Sequence, residues 1–216
     1  MPGAPDARGR GLLRRADRDR LTLLPELEPL LLTPEAAAAL DVHGGKDAAV
    51  LVPLYRDAGG ALHAVFTRRR DDLRSHAGEI SFPGGRQDDA DEDLRATALR
   101  ETEEEIGLPS DGVTLAGALP PTPTFVTNFA IYPFVGVIEP GFSWVPAATE
   151  VAEVLELRLR DVRAAHGSRR LVRKGVPFRT DTYELGDTLI WGATARIVAD
   201  LLERLAPLLD AEDVAA

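Results

Sequence analysis

A mixed α/β fold, a β-sheet carrying helices, is predicted by three observations. Strand-like and helix-like segments interleave along the chain without internal repeats or a long linker. A Pro83-Gly84-Gly85 turn follows a short apolar strand and leads into an acidic helix. Near the end, Ile190, Thr194, Ile197, Val198, Leu201 and Leu205 recur at helical spacing, which predicts an amphipathic closing helix.

Taken in order, Thr33 with Pro34 and Glu35 marks a helix start, threonine as N-cap and proline at the first position, opening "PEAAAALDV". "AVLVPLY" (49–55) and "ALHAVFT" (61–67) are strands joined by the turn-forming "RDAGG". Residues 80–82 form a short strand ending at the Pro-Gly-Gly turn. The acidic helix is expected from about Asp91 to Ile106, with Gly107 as its left-handed cap. "AIYPFVGVIE" (130–139) is a further apolar strand, "EVLELRLR" (153–160) a half-buried one through Leu155, Leu157 and Leu159, and "VPFRTDTYE" another.

Bulk properties set the class. At 216 residues the chain can bury one large core, and its 44% apolar and 28% charged content is that of a soluble globular protein. A net charge of −10 argues against nucleic-acid and anionic-membrane partners. The absence of cysteine excludes disulfides, thiolate zinc sites and a cysteine nucleophile. His43, His63, His76 and His166 show no metal-ligand spacing, and no apolar run has the length of a bilayer span. The arginine-rich residues 1–20 lack a secretory h-region and are expected to be a solvated, flexible tail, which leaves a cytoplasmic enzyme or binding protein as the default. One domain is expected over 21–210, with an extension at 21–47 and a core at 48–205.

The acidic helix raises the question of function. At 100° per residue, Glu101, Glu104 and Glu105 share one face, as positions i, i+3 and i+4 must. Leu99, Thr102 and Ile106 gather on a different arc suited to burial, while Glu103 points away from the three acids. Arg100 precedes Glu104 by one turn and can orient its carboxylate. Like charges one turn apart repel, so a helix that crowds them beside a glycine turn is suited to hold a hard divalent cation such as Mg²⁺ or Mn²⁺.

These residues resemble the signature of the Nudix hydrolases, G-x5-E-x7-R-E-U-x-E-E-x-G-U. Glu92, Arg100, Glu101, Glu104, Glu105, Gly107 and Leu108 stand in register; Thr102 replaces an aliphatic residue, and the glycine comes one position early, at Gly85. The lengthened loop after Phe82-Pro83-Gly84-Gly85 is similar to that of the family's coenzyme A pyrophosphatases. So is the upstream run "VFTRRRDDLRSHAGEISFPGG", matched at Thr67, Arg69, Arg74, Gly78 and residues 82–85, with Arg70 in place of a serine.

The resemblance implies a Nudix α/β/α sandwich with a mixed β-sheet, and metal-dependent attack of water on a pyrophosphate bond. It implies Glu101 and Glu105 as cation ligands, and Glu104 as ligand or base. A further acid is expected from outside the helix: Glu150 first, Glu153 second, Glu79 third. Arg69 and Arg74, with Gly84 and Gly85, are expected to bind the phosphates of a small-molecule substrate, since arginine forks suit phosphate geometry. Arg68 and Arg70 are as readily solvated surface residues. The implied substrate is coenzyme A. Other nucleotides such as ADP-ribose, NADH or an oxidised nucleotide would require the same carboxylates, and a noncatalytic nucleotide-binding regulator would not need them intact.

Overall fold

The computed structural model describes residues 22–40, 42–73, 76–124, 127–173 and 176–215. The expected tail and Arg74 lie outside them. Long strands β1 (Lys46–Arg56) and β2 (Leu62–Arg69) form the predicted hairpin, turned by Asp57, whose carboxylate accepts from the Gly59 and Ala61 N–H groups at 2.8 and 2.9 Å. Short strands β3 (Ile80–Ser81) and β4 (Gly84–Arg86) flank the Pro83 bend; β3 pairs with β2, and β4 lies antiparallel on β1. Strands β5 (Thr114–Ala118), β6 (Thr122–Pro123) and β7 (Phe129–Val137) follow, and β7 runs parallel to β1 over Lys46–Leu54. With β8 (Val151–Arg158) antiparallel to β2, the eight-stranded sheet is mixed.

Alternation along these strands fills two cores. Leu51, Val65 and Phe134 face Ala98 and Ile106 of the acidic helix, whereas Val52, Leu54, Ala64 and Phe66 face the closing helix through Ile197, Val198 and Leu201. The sheet is thus covered by helix on both faces, the expected α/β/α sandwich. The segment 22–27 adds Leu23 and Leu27 to the second core, and the Thr33 hydroxyl caps helix Pro34–Ala38 by accepting from the Ala36 N–H.

A second sheet is built from β9 (His166–Arg173), β10 (Val176–Leu185) and β11 (Thr188–Trp191), all antiparallel. Here the sequence reading needs correction. Ile190 is not on the closing helix, which spans Gly192–Arg204, but in β11, opposite Tyr183, and both are buried in the core. Burial at 190, 194, 197 and 201 imitates a helical stripe, although the backbone changes from strand to helix at Gly192, where φ is 68°. Leu159 likewise leaves the strand to begin the short helix Leu159–Ala164. β4, β5, β6, β9 and β11 were not anticipated.

Phe66 and Phe82 stack with ring centroids 4.5 Å apart, so the strand leading into the glycine turn is pinned by the core. Phe66→Ala is expected to lower stability by about 3–5 kcal/mol. Urea unfolding checks this through the midpoint at constant m; a loss below about 1 kcal/mol would contradict the packing role.

Candidate active site

The acidic helix spans Leu94–Ile106, beginning three residues later than its sequence suggests. Asp93 is the N-cap, its carboxylate accepting from the Arg95 and Ala96 N–H groups at 2.8 and 2.9 Å, and Gly107 closes the helix at φ 73° as expected. Asp91 stays in the loop, its carboxylate accepting from the Asp88 N–H and the Thr97 hydroxyl, each at 2.9 Å. Thr102 is fully buried, and its hydroxyl donates to the Ala98 carbonyl at 2.6 Å, which explains how a polar residue fills an apolar position.

Glu105 is the innermost acid, 6% exposed. One oxygen accepts from the Gly84 N–H at 3.1 Å, and the other lies 3.8 Å from the Arg69 guanidinium. Burial pushes its carboxyl from the ordinary 4.5 up to about 7, against the pull of the Gly84 N–H and Arg69, with Glu150 and Glu101 adding repulsion. Glu101 sits half-buried under the turn, so close to Gly85 that a Cβ there would come within 2.4 Å of its carboxyl carbon. Its carboxyl is also raised, by burial first, while Arg100 opposes the shift. Gly84, at φ 149°, meets the β1 backbone, where a Cβ would lie 2.3 Å from the Ala49 carbonyl oxygen.

Arg100 does contact Glu104, at 3.3 Å, and also Glu101, at 3.0 Å. Its main partner is Asp91, bound by Nε at 2.8 Å and Nη2 at 3.0 Å. Arg100, followed by the Asp88 N–H, holds the Asp91 carboxyl well below the usual carboxylate range. Sequence reasoning missed Asp91. The signal was the backward lean of helical side chains, which lets an arginine two turns into a helix reach acids that precede it.

Glu104 is exposed on the Arg100 side. Glu150, from the loop before β8, reaches the Arg69 guanidinium at 3.8 Å, so Arg69 bridges it to Glu105. Glu153 pairs with Arg68 at 3.1 Å, while Glu79 lines the cavity beside the glycine turn and pairs with His76 at 2.6 Å. Arg70 clamps Asp72 and donates to the Ala148 carbonyl, away from the three glutamates. Among the described residues no group of three His, Asp or Glu side chains meets the geometry of a metal-holding cluster as it stands. The donor set nevertheless fits a hard divalent cation: it is all oxygen, it includes a buried carboxylate raised by its own burial, and Gly85 leaves room beside Glu101.

The glycine turn opens on a cavity of about 680 Å³. Arg69, Glu79, Gly84, Gly85 and Arg86 line one part, and Phe129, Ile131, Phe178 and Trp191 line another. Arg86 and the two aromatic residues Phe178 and Trp191 were not singled out in the sequence. No helix among the described residues is long and apolar enough to cross a membrane.

The folded value of Glu105 lies above that of the unfolded chain, so between pH 4.5 and about 7 the folded state keeps a proton the unfolded chain has released. Stability falls as pH rises through that window and stays lower above it. In EDTA, Glu105→Gln is therefore expected to gain on the wild type between pH 5 and pH 8, by up to about 3 kcal/mol. Urea unfolding at both pH values measures this, and an unchanged difference would contradict it.

The NUDIX domain family matches residues 45–174, from just before β1 to just past β9. The uncharacterized Nudix hydrolase NudL of Salmonella newport (strain SL254) is 35% identical over 188 residues, covering 86% of this chain and 95% of its own. That of Citrobacter koseri is 36% identical over 167 residues, covering 72% and 81% respectively. Among solved structures, a MutT/nudix family protein from Enterococcus faecalis aligns with a TM-score of 0.53 at 14% identity, over 78% of this chain and 64% of that one, a likeness of fold alone. A family match over more than half the chain, together with relatives this similar along most of their length, makes the protein a member of the Nudix hydrolase family.

Proposed function

We propose that the protein hydrolyses the pyrophosphate bond of coenzyme A, releasing 4′-phosphopantetheine and adenosine 3′,5′-bisphosphate. The observation that carries this reading is the junction at Gly84-Gly85, where the glutamate face of the helix meets a cavity within the usual size range of ligand pockets. The run from Thr67 to Gly85, similar to that of the family's coenzyme A pyrophosphatases, supports this substrate over other nucleotides.

Nudix hydrolases use divalent metal ions; Mg²⁺ or Mn²⁺ held by Glu101, Glu105 and Glu104 would neutralise phosphate charge and acidify a water. Glu105 is fixed by the Gly84 N–H, and Glu101 by Gly85 and Arg100. Glu104, exposed beside them, is suited to take the proton of the attacking water, with Glu150 the alternative base across Arg69. Arg69 pairs with Glu105 and lines the cavity, which supports the pyrophosphate as its partner over the 3′-phosphate.

Incubating the protein with coenzyme A, dephospho-coenzyme A, ADP-ribose and NADH plus Mg²⁺ or Mn²⁺, and identifying products by mass, tests the substrate. A wide preference for ADP-ribose or NADH would overturn the coenzyme A assignment. Glu101→Gln is expected to lower kcat by ~10²–10³; unchanged activity would remove Glu101 from the cation site. Arg69→Ala should cost about 1.5–3 kcal/mol in kcat/KM, equally for coenzyme A and dephospho-coenzyme A. A loss confined to coenzyme A would instead put Arg69 on the 3′-phosphate.

A further inference from the structure

We infer that Phe178 and Trp191, which line the cavity from the second sheet, form the seat for the substrate's nucleobase. This rests on the proposed hydrolysis of a nucleoside-containing pyrophosphate.

The register of the second sheet carries the inference. Tyr183 pairs with Ile190, and Thr182 with Trp191. Side chains alternate along strands, so the Tyr183/Ile190 face enters the core while Phe178 and Trp191 share the opposite face and line the cavity. Their ring centroids lie 6.2 Å apart with planes at 39°, and both are only partly buried. The two rings contact one another, and Phe129 and Ile131 line the same cavity. Arg196, from the closing helix, donates to the Pro123 carbonyl at 3.0 Å and ties the helix that follows Trp191 to β6.

The cavity therefore offers both cationic and aromatic lining. Arg69 and Arg86 line it beside the glycine turn, Arg196 lines it from the closing helix, and Phe178 and Trp191 line it from the second sheet. A nucleoside pyrophosphate matches both, with an anionic centre and a flat base whose faces stack on aromatic rings. The pantetheine half of coenzyme A, with its polar amides, lacks a flat ring. Phe178, Trp191 and Arg196 all fall after residue 174, where the family match ends.

The two product halves provide the test. Trp191 is one of two tryptophans, so in a Trp144→Phe background it is the sole tryptophan and is read by excitation beyond the tyrosine band. Adenosine 3′,5′-bisphosphate is expected to quench it and 4′-phosphopantetheine to leave it unchanged. By calorimetry, Trp191→Ala and Phe178→Ala should each weaken the adenosine half roughly ten- to a hundredfold and spare the pantetheine half, with Trp191→Phe retaining most of the affinity. Quenching by the pantetheine half alone, or unchanged adenosine affinity in both alanine variants, overturns the assignment. If an alanine variant fails to fold, the quenching result in the Trp144→Phe protein decides. Should the wild type leave coenzyme A intact, titration with AMP and ADP-ribose separates the two ideas: quenching by these keeps the base seat and discards only the coenzyme A reading.

Discussion

The burial of the Glu105 carboxylate beneath the Pro-Gly-Gly turn is the constraint around which the site is arranged. A buried carboxylate is costly unless hydrogen-bonded and charge-compensated, and here the Gly84 N–H and Arg69 share that task. Both require close approach. Gly84 must lie on the β1 backbone to aim its N–H at the acid, and Gly85 must leave the volume that the Glu101 carboxyl fills. The two glycines are therefore not equivalent: one is demanded by the sheet, the other by the helix.

The same constraint explains the central position of β1. It carries β4 and the turn on one edge, runs parallel to β7 on the other, and sends alternate side chains into both cores. A strand buried on both faces is a nearly continuous apolar run, as "AAVLVPLY" is. The acidic helix can press its polar face against the turn because Ala98, Thr102 and Ile106 anchor its other face to this strand layer.

Labour is divided along the chain. The segment that matches the Nudix domain builds the carboxylate face and the glycine turn on which the proposed chemistry rests. The second sheet and the closing helix complete the cavity on its aromatic side. The proposed base seat of Phe178 and Trp191 thus lies on a different sheet from the turn that covers the buried acid.

Much of this was legible in the sequence because it is local. The one-sided spacing of Glu101, Glu104 and Glu105, the Gly107 cap, the Asp57 hairpin and the Thr33 cap each depend on residues within a turn or two of one another. The sequence also named Arg69 and Glu150, but only the pairing of β2 with β8 brings them within 3.8 Å and joins them to Glu105. The strand placement of Ile190 and the pairing of Phe178 with Trp191 were decided by tertiary structure. Helical and strand periodicities record which side chains are buried, not which backbone buries them. Contacts between segments far apart in the chain are fixed by strand register and layer packing, which leave no local period to read.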